Sequence, residues 1–412
     1  MASTSVIIGG GVIGLALARS LMDDGHTVTL IESEPGGFNA SCGNAGGFGV
    51  TEVLPLEMTG VLRKLPGWLL DPLGPVRIGP SRILPMLPWM AGMARVARAG
   101  ERARIASGLA ALLSRARADS LPLLRELGLL GELHERGAIW AYETQAGFAR
   151  DAADRQARRA LGIEMQELNG DEIRALEPAL GPRVVAGLMT PQWMHLDNPA
   201  HVVRGLERQL HARGLTVVAG RAIAVEGQEV VLQDGRRVSF ATGRLVIAAG
   251  AWSGRLCASI GDRVLLESER GYNRTLPDPG VSLSREVIFA ERHFVATPMS
   301  IGLRIGGAAE FRGLDAAPDY RRSAALAQLA TLYLPGLRTE GGTDWMGHRP
   351  ATPDSLPVIG ASSRRADVFH AFGHGHVGLT LAATTAKLLT DLIAGRKPGV
   401  DLAPYAISRF QR

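Results

Sequence analysis

Three short stretches hold residues whose types and spacing could do chemistry. The first is Gly9-x-Gly11-x-x-Gly14, followed by Glu32. Gly9 would permit a tight turn, Gly11 would let backbone approach a pyrophosphate, and Gly14 would let a helix pack close to a strand. A helix starting there aims its unpaired amides and its positive end at phosphate charge. Glu32 stands eighteen positions after Gly14, where a carboxylate can accept hydrogen bonds from a ribose diol. A plain structural turn is the alternative, and the flanking pattern with Glu32 favours a dinucleotide.

The second stretch is residues 371–380, Ala-Phe-Gly-His-Gly-His-Val-Gly-Leu-Thr. A metal would need three or four ligands, and no cysteine or helical His-x-x-x-His pair stands near His374 and His376. We expect no metal. The alternative is that Gly373, Gly375 and Gly378 open the final helix and let its first turn lie against a flat redox ring. There the helix dipole and free amides would stabilise negative charge on the reduced ring. The two histidines are then either hydrogen-bonded structural residues or part of a substrate pocket.

The third stretch is residues 347–354, Gly-His-Arg-Pro-Ala-Thr-Pro-Asp. Arg349 heads a proline-stiffened turn, and a guanidinium held this way can grip a carboxylate through two parallel hydrogen bonds. An ion pair with Asp354 or a bond to a backbone carbonyl is the structural alternative.

These residues need elements to position them. Residues 5–10 read as a buried strand, 12–25 as a helix closed by glycine, and 26–32 as a second strand. Residues 196–214 form another helix, with Asn198 as cap, Pro199 in the first turn and Gly214 at the stop. Strands follow at 215–220, 229–235 and 244–250, with Gln-Asp-Gly as a hairpin turn. Helical spacing runs over 94–128, and short strands are expected near 137–143 and 368–373. The block 264–310 is rich in strands. Between residues 51 and 89 prolines, leucines and tryptophans make a stretch too broken for a regular helix and too apolar to be fully exposed.

The expected fold class is α/β, a discontinuous dinucleotide-binding domain with a second, mixed-sheet α+β domain. Residues 1–55, 197–262 and 345–412 are assigned to the first, and 56–196 and 263–344 to the second. The break after residue 49 favours FAD over a nicotinamide cofactor, which normally sits on one compact half. The strand that ends in Ala248-Ala249-Gly250 supports this, since it can return to pass the dinucleotide. Its alternative is an ordinary core strand. The small residues and Asn44 that follow Glu32 suit a loop against a ring system, with a flexible linker as the alternative.

The totals narrow the remaining classes. The chain has 412 residues, a net charge of +5 and 46% hydrophobic residues. Lysine occurs only at Lys64, Lys387 and Lys397, and the arginines are dispersed, so no nucleic-acid partner is expected. Cys42 and Cys257 make neither a disulfide framework nor a zinc site. The N-terminus enters a strand pattern at once, so no signal peptide is expected, and no run is long and apolar enough to span a bilayer. We expect a cytoplasmic protein. Residues 54–93 leave two alternatives, a packed excursion over the second domain or a peripheral contact with the inner membrane, where Arg95, Arg98, Arg102 and Arg104 would meet anionic lipid.

Taken together, Gly9 to Gly14, Glu32, Ser41-Cys42-Gly43-Asn44-Ala45-Gly46, Ala248 to Trp252, Arg349-Pro350-x-Thr352-Pro353-Asp354 and Gly373 to Thr380 make a chain that resembles the D-amino-acid oxidase/dehydrogenase superfamily. The likeness runs nearly the whole length, and is strongest to bacterial D-amino-acid dehydrogenases, including those acting on D-proline and cis-4-hydroxy-D-proline. It implies a glutathione-reductase-type FAD domain and a second sheet that roofs the flavin. It implies hydride transfer from Cα of an amino acid to flavin N5, giving an imino acid. Arg349 matches the arginine that binds the substrate carboxylate. Tyr272 falls on the strand that often offers a hydroxyl to substrate, and His293 and Phe294 fall near the pocket. Cofactor contacts are implied at Val12, Ile13, Glu32, Ser33, Ala45, Ala222, Ala249, Trp252, His374, His376, Val377 and Leu379, besides the glycines, Ser41, Asn44 and Thr380. No cysteine follows Cys257, so FAD is expected to be noncovalent. No lysine lies between Lys64 and Lys387 to assist oxygen, so the acceptor is expected to be other than oxygen, with a quinone as candidate and a glycine- or sarcosine-type oxidase as the alternative. A flavoprotein subunit of a larger amine dehydrogenase is the further alternative.

Overall fold

The computed structural model describes residues 3–55, 74 and 76–411. Among these, a six-stranded sheet is assembled from three distant parts of the chain. Its order is Thr216–Ala219, Thr27–Glu32, Thr4–Ile8, Gly243–Ile247, Val368–Phe372 and Val358–Ala361. The first five are parallel and the last pairs antiparallel. A parallel sheet must be covered on both faces, and its strands read accordingly as apolar runs. Val6, Ile7 and Ile8 are buried, as are Leu245, Val246 and Ile247.

Helices Val12–Asp23, Ala99–Glu126 and Gly378–Ile393 pack over one face through Leu15, Leu112, Leu381 and Leu388. The small antiparallel sheet of Ala222–Glu226, Glu229–Leu232 and Arg237–Ser239 covers the other through Val225, Val230 and Leu232. Helix Pro199–Ala212 starts as its sequence dictates: the Asn198 side chain accepts a hydrogen bond from the Ala200 amide at 3.1 Å, and Pro199 occupies the first turn.

The larger sheet runs Thr343–Ala351, Glu267–Leu276, Gly302–Phe311, Phe294–Met299, Glu286–Phe289, Ala138–Tyr142, Ala186–Thr190 and Gln166–Asn169, with Val76–Ile78 paired to Gly302–Phe311. A domain edge at residue 345 would cut through its first strand, which pairs with Glu267–Leu276 from Thr343 to Ala351. The change of sheet falls after residue 351, because Arg349 is a strand residue of the larger sheet and not part of a turn.

One expectation is corrected by a helix, Ile83–Val96, inside the stretch read as too broken. Pro85 lies in its first turn, where amides have no intrahelical partner to lose. Pro88 does remove one hydrogen bond. Met86, Trp89, Met93 and Val96 recur on one face and are buried, and this burial outweighs that loss. Within that stretch, residues 56–73 and 75 lie outside the described part. Among the described residues no helix is long and apolar enough to cross a membrane.

Candidate functional site

The two sheets face each other across a cavity of about 840 Å³. At one end the first βαβ unit supplies its glycine turn. Gly9 has φ +111°, and a methyl group there would overlap the Ala248 carbonyl and stand 2.9 Å from Ala249 Cα. At Gly14 a methyl would overlap the Gly9 carbonyl oxygen. Each glycine is therefore required by close packing, as the spacing predicts. Helix Val12–Asp23 has no acidic residue in its first turn, and its N-terminus opens into the cavity at Gly11, Val12 and Ile13. The Glu32 carboxylate accepts from the Gly10 amide, and from Ser33 Oγ and the Glu34 amide at 3.0 Å each, so it is held at the cavity wall. Ser33, Ala222, Ala249, Gly250 and Trp252 line the same end.

The loop after Glu32 is pinned to the larger sheet. Asn273 Nδ2 donates to the Gly43 carbonyl at 2.7 Å, and Arg304 Nη1 donates to the Asn44 carbonyl at 2.5 Å. Trp345 fills the space that a side chain at Gly43 would need. Within the loop, Ser41 Oγ accepts from the Val12 amide at 3.0 Å, and Asn44 Oδ1 accepts from the Gly46 amide at 2.8 Å. Ser41, Asn44 and Ala45 line the cavity. The linker alternative falls, because the loop is braced at both carbonyls.

The final helix ends at the same cavity. Gly373 and Gly375 have φ +81° and +50°, so the turn into Gly378–Ile393 needs residues without a Cβ. The helix has no side-chain cap and no acid in its first turn. His374, Gly375, Val377, Gly378 and Leu379 line the cavity, whereas Gly14, Gly46, Gly373 and Thr380 stand behind its wall. Thr380 Oγ1 accepts from the Gly49 amide at 3.0 Å and so ties helix to loop. His374 is buried, shares a 2.9 Å hydrogen bond with Thr385, and is driven by burial to a pKa of about 3, so it is neutral. His376 Nε2 lies 2.9 Å from Glu269 Oε1.

Opposite the loop, alternate residues of the larger sheet face the cavity. Arg349 is paired directly across from Glu269, with Nη1 2.9 Å from Glu269 Oε1 and 3.1 Å from the Ala308 carbonyl. Asp354 is taken by Arg409 at 2.8 Å, so the ion pair expected for Arg349 forms with Glu269 instead, while the expected bond to a backbone carbonyl is present, to Ala308. Burial alone would raise the Glu269 carboxyl, but the charges and hydrogen bonds of His376 and Arg349 hold it well below the usual carboxylate range. Gly271 leaves the space for the guanidinium. The non-glycine residues with left-handed φ among the described residues are His293, Ala308 and Ser355, at 56°, 60° and 59°, and all three line this cavity. Such conformations cost energy and gather at functional sites.

Tyr272 is a correction. Tyr272 borders the cavity along with Gly271 and Asn273, but strand side chains alternate, and its hydroxyl is engaged on the other face. That hydroxyl donates to Glu310 at 2.5 Å and accepts from the Asp319 amide at 3.2 Å. Burial, with the Glu310 charge, lifts it to about 12. It braces the far face and offers no hydroxyl to a ligand. His293 stays at the cavity rim on a turn, while the Phe294 ring stacks on Phe289 in the core beyond the sheet.

Sequence reasoning missed Glu269, Asn273, Trp345 and the wall formed by Met86, Trp89 and Met93. A signal was present: Glu269-x-Gly271-x-Asn273 alternates at the period of a strand, opposite Trp345-x-Gly347-x-Arg349. Gly271 lies diagonally across the strand pair from Arg349, and its missing side chain keeps open the space the guanidinium fills.

Two bare helix ends suit a dinucleotide at one side of the cavity, and a fixed guanidinium suits an anionic reactant at the other. This is the arrangement of a redox enzyme built around a large cofactor. The chain belongs to the DAO family of FAD-dependent oxidoreductases, whose family model matches residues 5–392, and FAD is its cofactor. The chain is 34% identical to a D-amino-acid oxidase of Bradyrhizobium diazoefficiens over 415 residues, with 98% of each chain covered. It is 35% identical to D-amino acid dehydrogenase 2 of Ralstonia nicotianae over 434 residues, covering 98% of this chain and 99% of that one. In fold it is similar to glycine oxidase from Geobacillus kaustophilus, with a TM-score of 0.76, 22% identity and 99% of both chains covered.

Proposed function

We propose that the protein oxidises the Cα–N bond of a D-amino acid to the imine and passes the electrons to an acceptor other than oxygen. The observation that carries this reading is Arg349. One nitrogen of its guanidinium is fixed by Glu269 and the Ala308 carbonyl, and among the described residues Nε and Nη2 carry no hydrogen bond. That free edge fits a carboxylate through two parallel bonds. The D hand follows the names of the relatives.

FAD, when bound, supplies the two-electron acceptance. Its pyrophosphate suits the amides at the start of helix Val12–Asp23, and its ribose suits Glu32. Its ring suits the braced loop at Ser41, Asn44 and Ala45, and the start of helix Gly378–Ile393. Both cysteines are buried and neither lines the cavity, which supports noncovalent binding.

Arg349 fixes the carboxylate, so Cα presents one face to the cofactor side of the cavity. Met86, Trp89 and Met93 close the apolar wall and exclude water from it. The substrate loses a hydride from Cα as its amine lone pair forms the C=N bond. An open-chain imine then takes up water to give the keto acid and ammonia, whereas a cyclic one, from D-proline or cis-4-hydroxy-D-proline, persists.

The lack of any lysine from residue 65 to 386 supports an acceptor other than oxygen, and we take a quinone as that acceptor. Ile83, Leu84 and Leu87 are exposed on the outer face of helix Ile83–Val96, which supports peripheral contact with a membrane surface. The test is an anaerobic flavin-bleaching screen across D- and L-amino acids, including the cyclic ones. Bleaching by D-amino acids is expected, with Arg349→Ala keeping its FAD and losing affinity for the amino acid by about 10²-fold or more. Unchanged kinetics in that variant, or no bleaching by any amino acid, overturns the reading.

A further inference from the structure

We propose that Glu269 is a specificity-determining residue that accepts a hydrogen bond from the substrate's amino group, and that its charge on Arg349 excludes carboxylates lacking that group. This rests on Arg349 as the carboxylate holder. Glu269 is 6% exposed, yet lines the cavity. Its Oε1 is doubly occupied, by Arg349 Nη1 and His376 Nε2, each at 2.9 Å. Its Oε2 carries no hydrogen bond among the described residues.

Glu269 and Arg349 form a directly opposed pair on neighbouring antiparallel strands. Side chains so placed stand close enough to serve two groups attached to one carbon. An α-amino acid presents such a pair, with the carboxylate and the nitrogen both on Cα. The free edge of Arg349 takes the first, and Oε2 of Glu269 takes an N–H of the second.

The discrimination follows from charge. A lone arginine in a dry cavity would hold any carboxylate. With Glu269 fixed against it, the guanidinium charge is largely matched. A plain carboxylate therefore meets weak net attraction and places its negative charge beside a buried carboxylate. An amino acid brings the donor that Glu269 lacks. Selectivity thus comes from a repulsive element as well as an attractive one.

The experiment uses the FAD-loaded enzyme and two ligand pairs, D-alanine with propionate and D-proline with cyclopentanecarboxylate. Carboxylate affinities are read from the flavin difference spectrum. Amino-acid affinities are read from the concentration dependence of anaerobic flavin reduction. The wild type should favour each amino acid over its partner. In Glu269→Gln, carboxylate affinity should rise about 10-fold and amino-acid affinity fall about 10-fold or more, as for hydrogen bonds to charged groups. A merely structural Glu269 would weaken both members of a pair together, and an unchanged ratio overturns the proposal. So does a wild type that binds propionate as tightly as D-alanine, a result that needs no variant to fold. Arg349→Ala separates the two readings. If it leaves propionate affinity unchanged, the carboxylate assignment fails. If it removes propionate binding while Glu269→Gln leaves the ratio intact, the amine proposal alone fails.

Discussion

Replacing Gly271 by alanine puts a methyl group into the space that the Arg349 guanidinium fills. The new carbon would overlap Cζ and Nη2 and stand 2.7 Å from Nη1. An ordinary contact between such atoms needs about 3.5 Å, so the guanidinium must retreat by roughly 1 Å. It cannot retreat and keep both its 2.9 Å bond to Glu269 and its 3.1 Å bond to the Ala308 carbonyl. A shift of about 1 Å in a positioning group costs on the order of 10²-fold in rate. We therefore expect kcat/KM for D-amino acids to fall about 10²-fold, equivalent to ~2.7 kcal/mol of transition-state stabilisation. The fold should survive, because Gly271 is a strand residue without a left-handed φ and alanine meets no backbone strain there. Overpacking should cost about 1–3 kcal/mol of stability. The assay is dye-coupled turnover on enzyme of matched flavin content, with thermal unfolding alongside. If kcat/KM stays within about 3-fold of wild type, Arg349 does not hold the substrate where its geometry places it.

Two further outcomes test other parts of the site. Gly14→Ala should purify with its flavin absorbance near ~450 nm reduced about 10-fold or more, because its methyl overlaps the Gly9 carbonyl and forces helix and strand apart; a fully yellow variant would refute that packing. Glu286 is buried on the cavity wall, and burial, with the Glu52 charge, raises its pKa to about 8 from 4.5. A carboxyl raised in the folded state holds its proton better there than when unfolded. Stability therefore falls as pH rises from about 4.5 to about 8, by up to ~5 kcal/mol, and is level above that. Glu286→Gln should abolish this slope, melting near wild type at pH 5 and above it at pH 8.5; parallel melting-temperature profiles would show that Glu286 does not titrate there.

Local rules determined much of this protein. The glycine spacing with Glu32 announced a dinucleotide turn, because only residues without a Cβ allow strand, helix and phosphate to approach so closely. Asn198, Pro199 and Gly214 marked a helix by supplying the groups its ends require. The place of Arg349 at the cavity and the glycine turn before the last helix were likewise legible, since both are carried by residue type and immediate neighbours. Tertiary structure alone decided what lies beside them. It turned the Tyr272 hydroxyl away from the cavity, since one residue of strand register exchanges the two faces of a sheet. It made a helix across Pro85 and Pro88, since burial of Met86, Trp89 and Met93 exceeds the lost hydrogen bond. It set Glu269 against Arg349 from 80 residues away. Such a pairing depends on which strands become neighbours, and that is settled by the packing of the whole chain rather than by any stretch of it.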